Sequence, residues 1–148
     1  MPDRIVYSNP GGSVSIIIPA PGIKIEDVLG QVPDGAAYHF CPVRDISSDR
    51  TFRDAWIKSG EKIDVHMGKA RDIWRNKMRE HRAAKLAALD VDYIRADEAG
   101  DLAKKKSISA RKQALRDVTK HPDIEAAQTP EQLKSVWPSV LVDTEVIG

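Results

Sequence analysis

Alternating apolar and polar residues near the start of the chain predict a small β-rich unit. Residues 5–8 and 13–18 are runs of β-branched and aromatic residues, and the cluster Asn9-Pro10-Gly11-Gly12 between them is typical of a hairpin turn. Residues 37–43 alternate in the same way and predict a third strand that returns to the hairpin. We therefore expect residues 1–46 to form a unit based on a β-hairpin.

The pattern changes over residues 47–66, which predict a connector. Ser47, Ser48 and Asp49 are N-cap residue types, and they precede a segment that favours a short helix over residues 51–56. Gly60 is placed to end that helix, because glycine is common just beyond a helix C-terminus.

Residues 67–120 have helical periodicity and predict a long antiparallel helical hairpin. Apolar residues recur every three or four positions, with one gap at Arg82; they are Met67, Ala70, Trp74, Met78, Leu86, Leu89 and Tyr93. Gly100-Asp101 interrupts the pattern, which then resumes with Ile108, Leu115 and Val118 on one side of a second helix. Asp90 offers an alternative, in which it caps a separate helix and bends the first arm.

Residues 121–148 predict short helices and a tail. Proline follows His121 and ends the second arm, because a residue before proline is disfavoured in the α region. Thr129, Pro130 and Gln132 combine an N-cap, a first-turn proline and a capping-box residue. The apolar residues at 140–142 and 146–147 fit either a terminal strand or a docking tail. Strands followed by helices predict an α+β fold.

Composition narrows the classes of protein to which the chain can belong. The 148 residues carry 23 Lys and Arg against 22 Asp and Glu, a soluble composition of one-domain length. The longest apolar run is Ile16-Ile17-Ile18, so we expect no membrane-spanning helix, and the first residues do not read as a signal peptide. Cys41 is the sole cysteine, which excludes an intrachain disulfide and a cysteine-rich zinc site.

Charge is segregated along the helical part of the chain. Residues 69–85 carry seven positive charges against two negative, residues 86–101 one against five, and residues 102–120 seven against one. Four arginines, Arg71, Arg75, Arg79 and Arg82, share one helix face by their spacing. This face has three readings: a phosphate-binding stripe, a surface for an acidic partner, or an ordinary solvated face.

The sequence contains no motif that predicts catalysis, a metal or a cofactor. Its histidines are far apart, and the Gly11-Gly12 pair lies between two strands, where it does not cradle phosphate. His39 and Cys41 share a strand face, yet two ligands do not complete a zinc site. We therefore expect a protein that is not an enzyme. Trp137, outside the hairpin and before Pro138, is the aromatic residue that we assign to a partner.

Three sets of segments resemble small proteins from the structural modules of tailed bacteriophages and prophages. The first is the hairpin of residues 5–21, and the second is Asp49 to Trp56 followed by Lys69 to Ile73. The third combines residues 87–90, 95–98, 111–119 and 129–133. The helical part is also similar to the tail-fibre-assembly or tail-assembly-chaperone type, with its Arg-rich helix and Leu-Asp and Leu-Arg-Asp steps.

The resemblance implies a phage protein without catalytic activity. It implies either a small virion component that joins larger tail, collar or capsid proteins, or a chaperone that is not retained in the particle. The chaperone type does not require a β-rich unit such as residues 1–46. We therefore expect the virion component, made in the host cytoplasm. We expect larger phage structural proteins and further copies of the chain as partners, with Arg71, Arg75, Arg79, Arg82 and Trp137 as contact residues. Nucleic-acid binding is the remaining alternative.

Overall fold

The computed structural model describes residues 3–142 and confirms the α+β fold. Antiparallel strands come first, and a long helix, a second helix and short C-terminal helices follow. The chain divides into two compact units, residues 1–70 and 71–148. The units are described separately below.

The first unit contains a three-stranded antiparallel sheet in the order β2-β1-β3. Its strands are β1 (Asp3–Ser8), β2 (Val14–Ile17) and β3 (Tyr38–Pro42). The hairpin and the returning strand are therefore confirmed. Gly11 and Gly12 both have positive φ, near +95°, which glycine adopts without a steric penalty and which the tight turn requires.

The sheet buries one face against a second hairpin. Val6, Val14 and Cys41 pack with Trp56, and all four are at least 96% buried. The second hairpin consists of β4 (Trp56–Ser59) and β5 (Lys62–Val65). Burying these apolar side chains, at about 25 cal/mol per Å², is the main stabilisation of the unit.

The predicted helix over residues 51–56 is wrong. Only Arg53–Ala55 form a 3₁₀ turn, and Trp56 begins strand β4. Gly60 is not a helix stop: it lies with φ of +61° in the turn that joins β4 to β5. The connector is therefore a hairpin that contributes Trp56, Ile63 and Val65 to the core.

The predicted helical hairpin is confirmed. Helix α1 (Met67–Glu98) is continuous through Asp90, so the alternative of a separate capped helix there is wrong. Gly100, with φ of +69°, ends the first arm. Asp101 caps helix α2 (Leu102–Asp117) by accepting a hydrogen bond from the Lys104 N–H.

The C-terminal helices form as predicted. Helix α3 (Pro122–Ala126) and helix α4 (Pro130–Lys134) both begin with proline, and the Thr129 hydroxyl oxygen accepts a hydrogen bond from the Gln132 N–H. The side chain of Gln132 accepts from the N–H of Gln128. Of the two alternatives for residues 140–142, the terminal strand is wrong, because Ser139–Leu141 form a 3₁₀ turn. Residues 146–147 lie outside the described residues.

Candidate functional site

The apolar stripes of the two arms are buried within the second unit, and side-chain contacts join the arms. Trp74 is 95% buried, Met78 is fully buried and Leu115 is 99% buried. Two ion pairs fix the antiparallel register further along: Lys112 to Asp90 at 2.5 Å and Lys105 to Asp97 at 2.7 Å. The acidic end of α1 is thus paired with the basic start of α2, which explains much of the charge segregation in the sequence. The hydrogen bond that Lys105 donates to the Asp97 carboxylate raises the pKa of Lys105.

Arg71 is the first of the predicted contact residues, and its guanidinium bonds within the unit. Its Nε donates to the main-chain oxygen of Ile124 at 3.1 Å, and Nη2 donates to that of Ala127 at 2.7 Å. These carbonyl groups lie at the C-terminal end of α3, where main-chain oxygens lack helical partners and carry partial negative charge. Arg71 therefore binds the end of α3 to α1.

Arg75 repeats this arrangement one turn along α1. Its Nε donates to the main-chain oxygen of Thr119 at 3.2 Å, and Nη2 pairs with Glu125 at 2.5 Å. The Arg75 hydrogen bond lowers the pKa of Glu125 below its ordinary value.

Arg82 fills the gap in the apolar pattern. Its Nη1 donates to the main-chain oxygens of Leu115 at 3.3 Å and Arg116 at 2.9 Å, near the C-terminal end of α2. Arg79 is different, because it is exposed and, within residues 3–142, donates only to Asn76 on its own helix. Three of the four arginines thus bind main-chain carbonyl groups of the unit, whereas Arg79 lies in solvent.

Trp137 is held in an aromatic cluster. Its ring meets Trp74 edge-on with centroids 5.5 Å apart, and it meets His81 at 5.0 Å. The Trp74 Nε1 donates to the main-chain oxygen of Val136 at 2.8 Å. Trp137 is half-buried, so part of its ring remains accessible. Its intramolecular contacts attach the C-terminal segment to α1.

An exposed apolar stripe on α1, which the sequence reasoning missed, lies opposite the core. It consists of Ala84, Ala87, Val91 and Ile94, and Val91 and Ile94 are 48% and 58% exposed. The spacing of three, four and three residues is that of positions facing a second helix in a coiled coil. Leu102, at the start of α2, is 69% exposed. The spacing of these four residues is visible in the sequence, but the more strongly apolar stripe that forms the core of the same helix was identified in its place.

His39 and Cys41 lie side by side on the buried face of β3, as predicted. Burial, reinforced by Lys58 and opposed by Glu61, lowers the pKa of His39. Burial also raises the pKa of Cys41, and Asp45 and Asp3 add to that effect, so the thiol is a weak nucleophile. Within residues 3–142, no three His, Cys, Asp or Glu side chains are grouped so as to hold a metal ion.

Comparisons with protein families, with characterised proteins and with solved structures found no match to this chain. Over residues 3–142, no helix combines the length and apolarity needed to cross a bilayer.

Proposed function

We propose that the chain is a non-enzymatic adaptor of a tailed-phage particle and that its helical hairpin docks on a larger structural protein. The observation that carries this proposal is the apolar stripe of α1, defined by Ala84, Ala87, Val91 and Ile94. The stripe leaves apolar side chains in water on the side of the helix that the core does not use. Such a face is typical of an interaction surface.

Internal bonding supports the stripe as the docking surface in preference to the arginine face. Arg71, Arg75 and Arg82 make hydrogen bonds to carbonyl groups within the unit. A phosphate backbone or an acidic partner would have to displace those bonds. Arg79 and the accessible part of Trp137 remain candidate contacts at the margin of the interface.

The charges at the ends of the stripe favour a particular occupant. Glu80 and Glu98 are exposed, continue the spacing of the stripe in both directions, and have no ion-pair partner in residues 3–142. A second copy of the stripe would place glutamates opposite each other in either orientation, which is unfavourable. We therefore assign the stripe to an amphipathic helix of a larger protein, with Lys or Arg near both ends of its apolar face.

Small side chains suit this arrangement. Ala84 and Ala87 let a partner helix approach closely, and Val91 and Ile94 provide the apolar contact. One such contact is weak, but repeated copies in a symmetric particle raise the effective concentration of each partner.

Quantitative mass spectrometry of purified phage particles tests the proposal. Particles assembled with the unaltered chain should contain it in a fixed ratio to the tail or capsid proteins. Particles assembled with Ile94→Lys should contain at least ten-fold less. Ala110→Lys is the matched control, because Ala110 is exposed on α2 outside the stripe, and it should leave incorporation unchanged.

Two results would contradict the proposal. If the chain is absent from particles and its deletion removes fibres or tails, it is an assembly chaperone instead. If Ile94→Lys is incorporated as well as Ala110→Lys, the stripe is not the docking surface.

A further inference from the structure

Strand β3 forms an open edge of the sheet in the first unit. Within residues 3–142, β3 is hydrogen-bonded on one side only, to β1. The opposite edge, at β2, is partly closed because Arg53 Nη2 donates to the main-chain oxygen of Val14 at 3.1 Å. An edge strand with free N–H and C=O groups is a template for another strand.

The ladder itself shows which main-chain groups of β3 face outward. The Ser8 N–H donates to the Ala37 oxygen at 3.0 Å, so Ala37 faces β1. Residues of an antiparallel strand alternate between bonding to one neighbour and to the other. His39 and Cys41 therefore bond to β1, and Tyr38 and Phe40 direct their N–H and C=O groups away from it.

The same two residues expose their aromatic rings. Tyr38 is 45% exposed and Phe40 is 46% exposed, and their rings meet edge-on with centroids 6.2 Å apart. Two exposed aromatic side chains thus flank the free main-chain groups. Paired aromatic residues across neighbouring strands are among the contacts that stabilise sheets.

We propose that two copies of the chain pair through β3, antiparallel about a twofold axis at His39, to give one six-stranded sheet. In this register, Tyr38 of each copy lies opposite Phe40 of the other and exchanges two main-chain hydrogen bonds with it. The pair then has four such bonds, and each Tyr38 ring packs beside a Phe40 ring of the second copy.

Charge favours this antiparallel arrangement of two copies. Asp34 precedes the strand and Arg44 follows it, and both are exposed. Antiparallel pairing brings each Asp34 towards Arg44 of the other copy, whereas parallel pairing would bring like charges together. Asp45, which follows Arg44, lies instead beside Cys41, in a cleft of about 340 Å³.

A buried histidine lies at the centre of β3, where the proposed axis passes. His39 is 94% buried, and neither Nδ1 nor Nε2 has a hydrogen-bond partner in the described residues. Buried polar atoms normally have one. At the axis, the main chain of His39 lies opposite that of His39 of the second copy in a non-hydrogen-bonded pair. The ring nitrogens are shielded within each copy and take no part in the contact.

The edge also limits the size of the interface. Pro42 points the same way as Tyr38 and Phe40 but has no N–H, so the ladder cannot extend past it. Tyr38 and Phe40 together expose roughly 180 Å² per copy, taking about 200 Å² for each aromatic side chain. This is a small interface, and we expect a dissociation constant between about 10 µM and 1 mM.

Sedimentation equilibrium of the purified full-length chain tests the pairing. The average mass should rise from 16.4 kDa towards twice that value as the concentration increases through this range. Phe40→Lys should weaken association at least ten-fold. Ile18→Lys is the matched control, because Ile18 is 59% exposed in the same unit but lies outside β3, and it should associate like the unaltered chain.

A cysteine pair tests the register independently of any effect on folding. In a Cys41→Ala background, an oxidised mixture of Tyr38→Cys and Phe40→Cys chains should form disulfide-linked dimers faster than either chain alone. A mass that stays at 16.4 kDa up to 1 mM would overturn the proposal. So would equal association of Phe40→Lys and Ile18→Lys, or equal cross-linking in all three samples. The pairing is measured on the pure chain, so its result is independent of whether the chain is incorporated into phage particles.

Discussion

Arg82 on α1 donates to the main-chain oxygen of Arg116 on α2 at 2.9 Å, at a point where the apolar pattern of α1 has its only gap. The guanidinium takes the place of an apolar side chain in the contact between the arms. It binds carbonyl groups that the last turn of α2 leaves without helical partners. A cation at a helix C-terminus is favourable for the helix dipole as well.

Removing this guanidinium should destabilise the hairpin. We expect Arg82→Ala to lower the free energy of unfolding by about 1–3 kcal/mol, because hydrogen bonds to charged groups are worth about that much. Chemical denaturation followed by circular dichroism at 222 nm measures the change.

Arg79→Ala is the control for Arg82→Ala, since Arg79 lies on the same helix and, among the described residues, bonds only to Asn76. It should change the stability by no more than about 0.5 kcal/mol. If the two variants lose equal stability, the hydrogen bonds from Arg82 to main-chain oxygens do not account for the loss.

How far the sequence predicted the fold depended on the length of each pattern. The hairpin of α1 and α2 was predictable because its apolar spacing persists over many turns and Gly100 marks the reversal. Strands β4 and β5 were missed because each has four residues, too few for alternation to outweigh the cap signals of Ser47 and Asp49. Short strands owe their structure to the sheet that they cover, which local sequence does not reveal.

The arginine face shows a second limit of sequence reasoning. Spacing correctly placed Arg71, Arg75 and Arg82 on one side of α1, but it does not show which groups of the protein that side contacts. The carbonyl groups that they bind belong to residues 33 to 56 positions away along the chain. Only the position of Arg82 within the apolar stripe was a local signal that an arginine contributes to helix packing.

The Arg75 to Glu125 pair predicts a loss of stability in acid. The folded-state pKa of Glu125 lies below its unfolded value, so the carboxylate contributes stability above the unfolded pKa. That contribution disappears as the pH falls from the unfolded pKa, about 4.5, through the folded one. Glu125 is exposed, so we expect a small effect.

Urea denaturation at pH 7 and pH 3 measures this contribution. The stability difference between the unaltered chain and Glu125→Gln should be present at pH 7 and shrink at pH 3. Glu131→Gln is the control, because Glu131 is exposed on α4 and makes no ion pair in residues 3–142. A difference that is the same at both pH values would mean that the carboxylate charge is not responsible.

The lowered pKa of His39 predicts that acid also destabilises the first unit, at a higher pH than the effect of Glu125. Burial lowers the folded-state pKa of His39 below the ordinary value of 6.5, so the ring binds a proton less readily in the folded unit than in the unfolded chain. Stability is therefore complete above the unfolded pKa and falls as the pH drops from there towards the folded pKa. Lys58 strengthens this effect and Glu61 weakens it.

Hydrogen exchange of the β1 and β3 amides at pH 7 and pH 5, corrected for intrinsic exchange rates, tests this prediction. Protection should decrease at pH 5 in the unaltered chain. His39→Leu should remove the decrease. It should not cost much stability, since it replaces a buried polar group that has no hydrogen bond within residues 3–142 by an apolar one of similar size. His66→Leu, at an exposed histidine in the same unit, should leave the decrease in place.

Reversal of the charges at the ends of β3 gives the last prediction. Arg44→Asp should weaken the pairing of two copies, because Asp34 of the other copy then faces a like charge. Asp34→Arg should weaken it for the same reason. The double variant restores opposite charges and should recover the affinity of the unaltered chain. For exposed pairs worth up to about 1 kcal/mol each, we expect each single reversal to weaken association several-fold over the two symmetric contacts.

The salt dependence of association provides an internal check on the same variants. Because exposed charges are screened, with a Debye length near 10 Å at 0.1 M, 1 M salt should bring the two single variants closer to the unaltered chain. A double variant that is weaker than either single variant would show that Asp34 and Arg44 do not meet across the axis. The register centred on His39 would then be wrong even if β3 still mediates association.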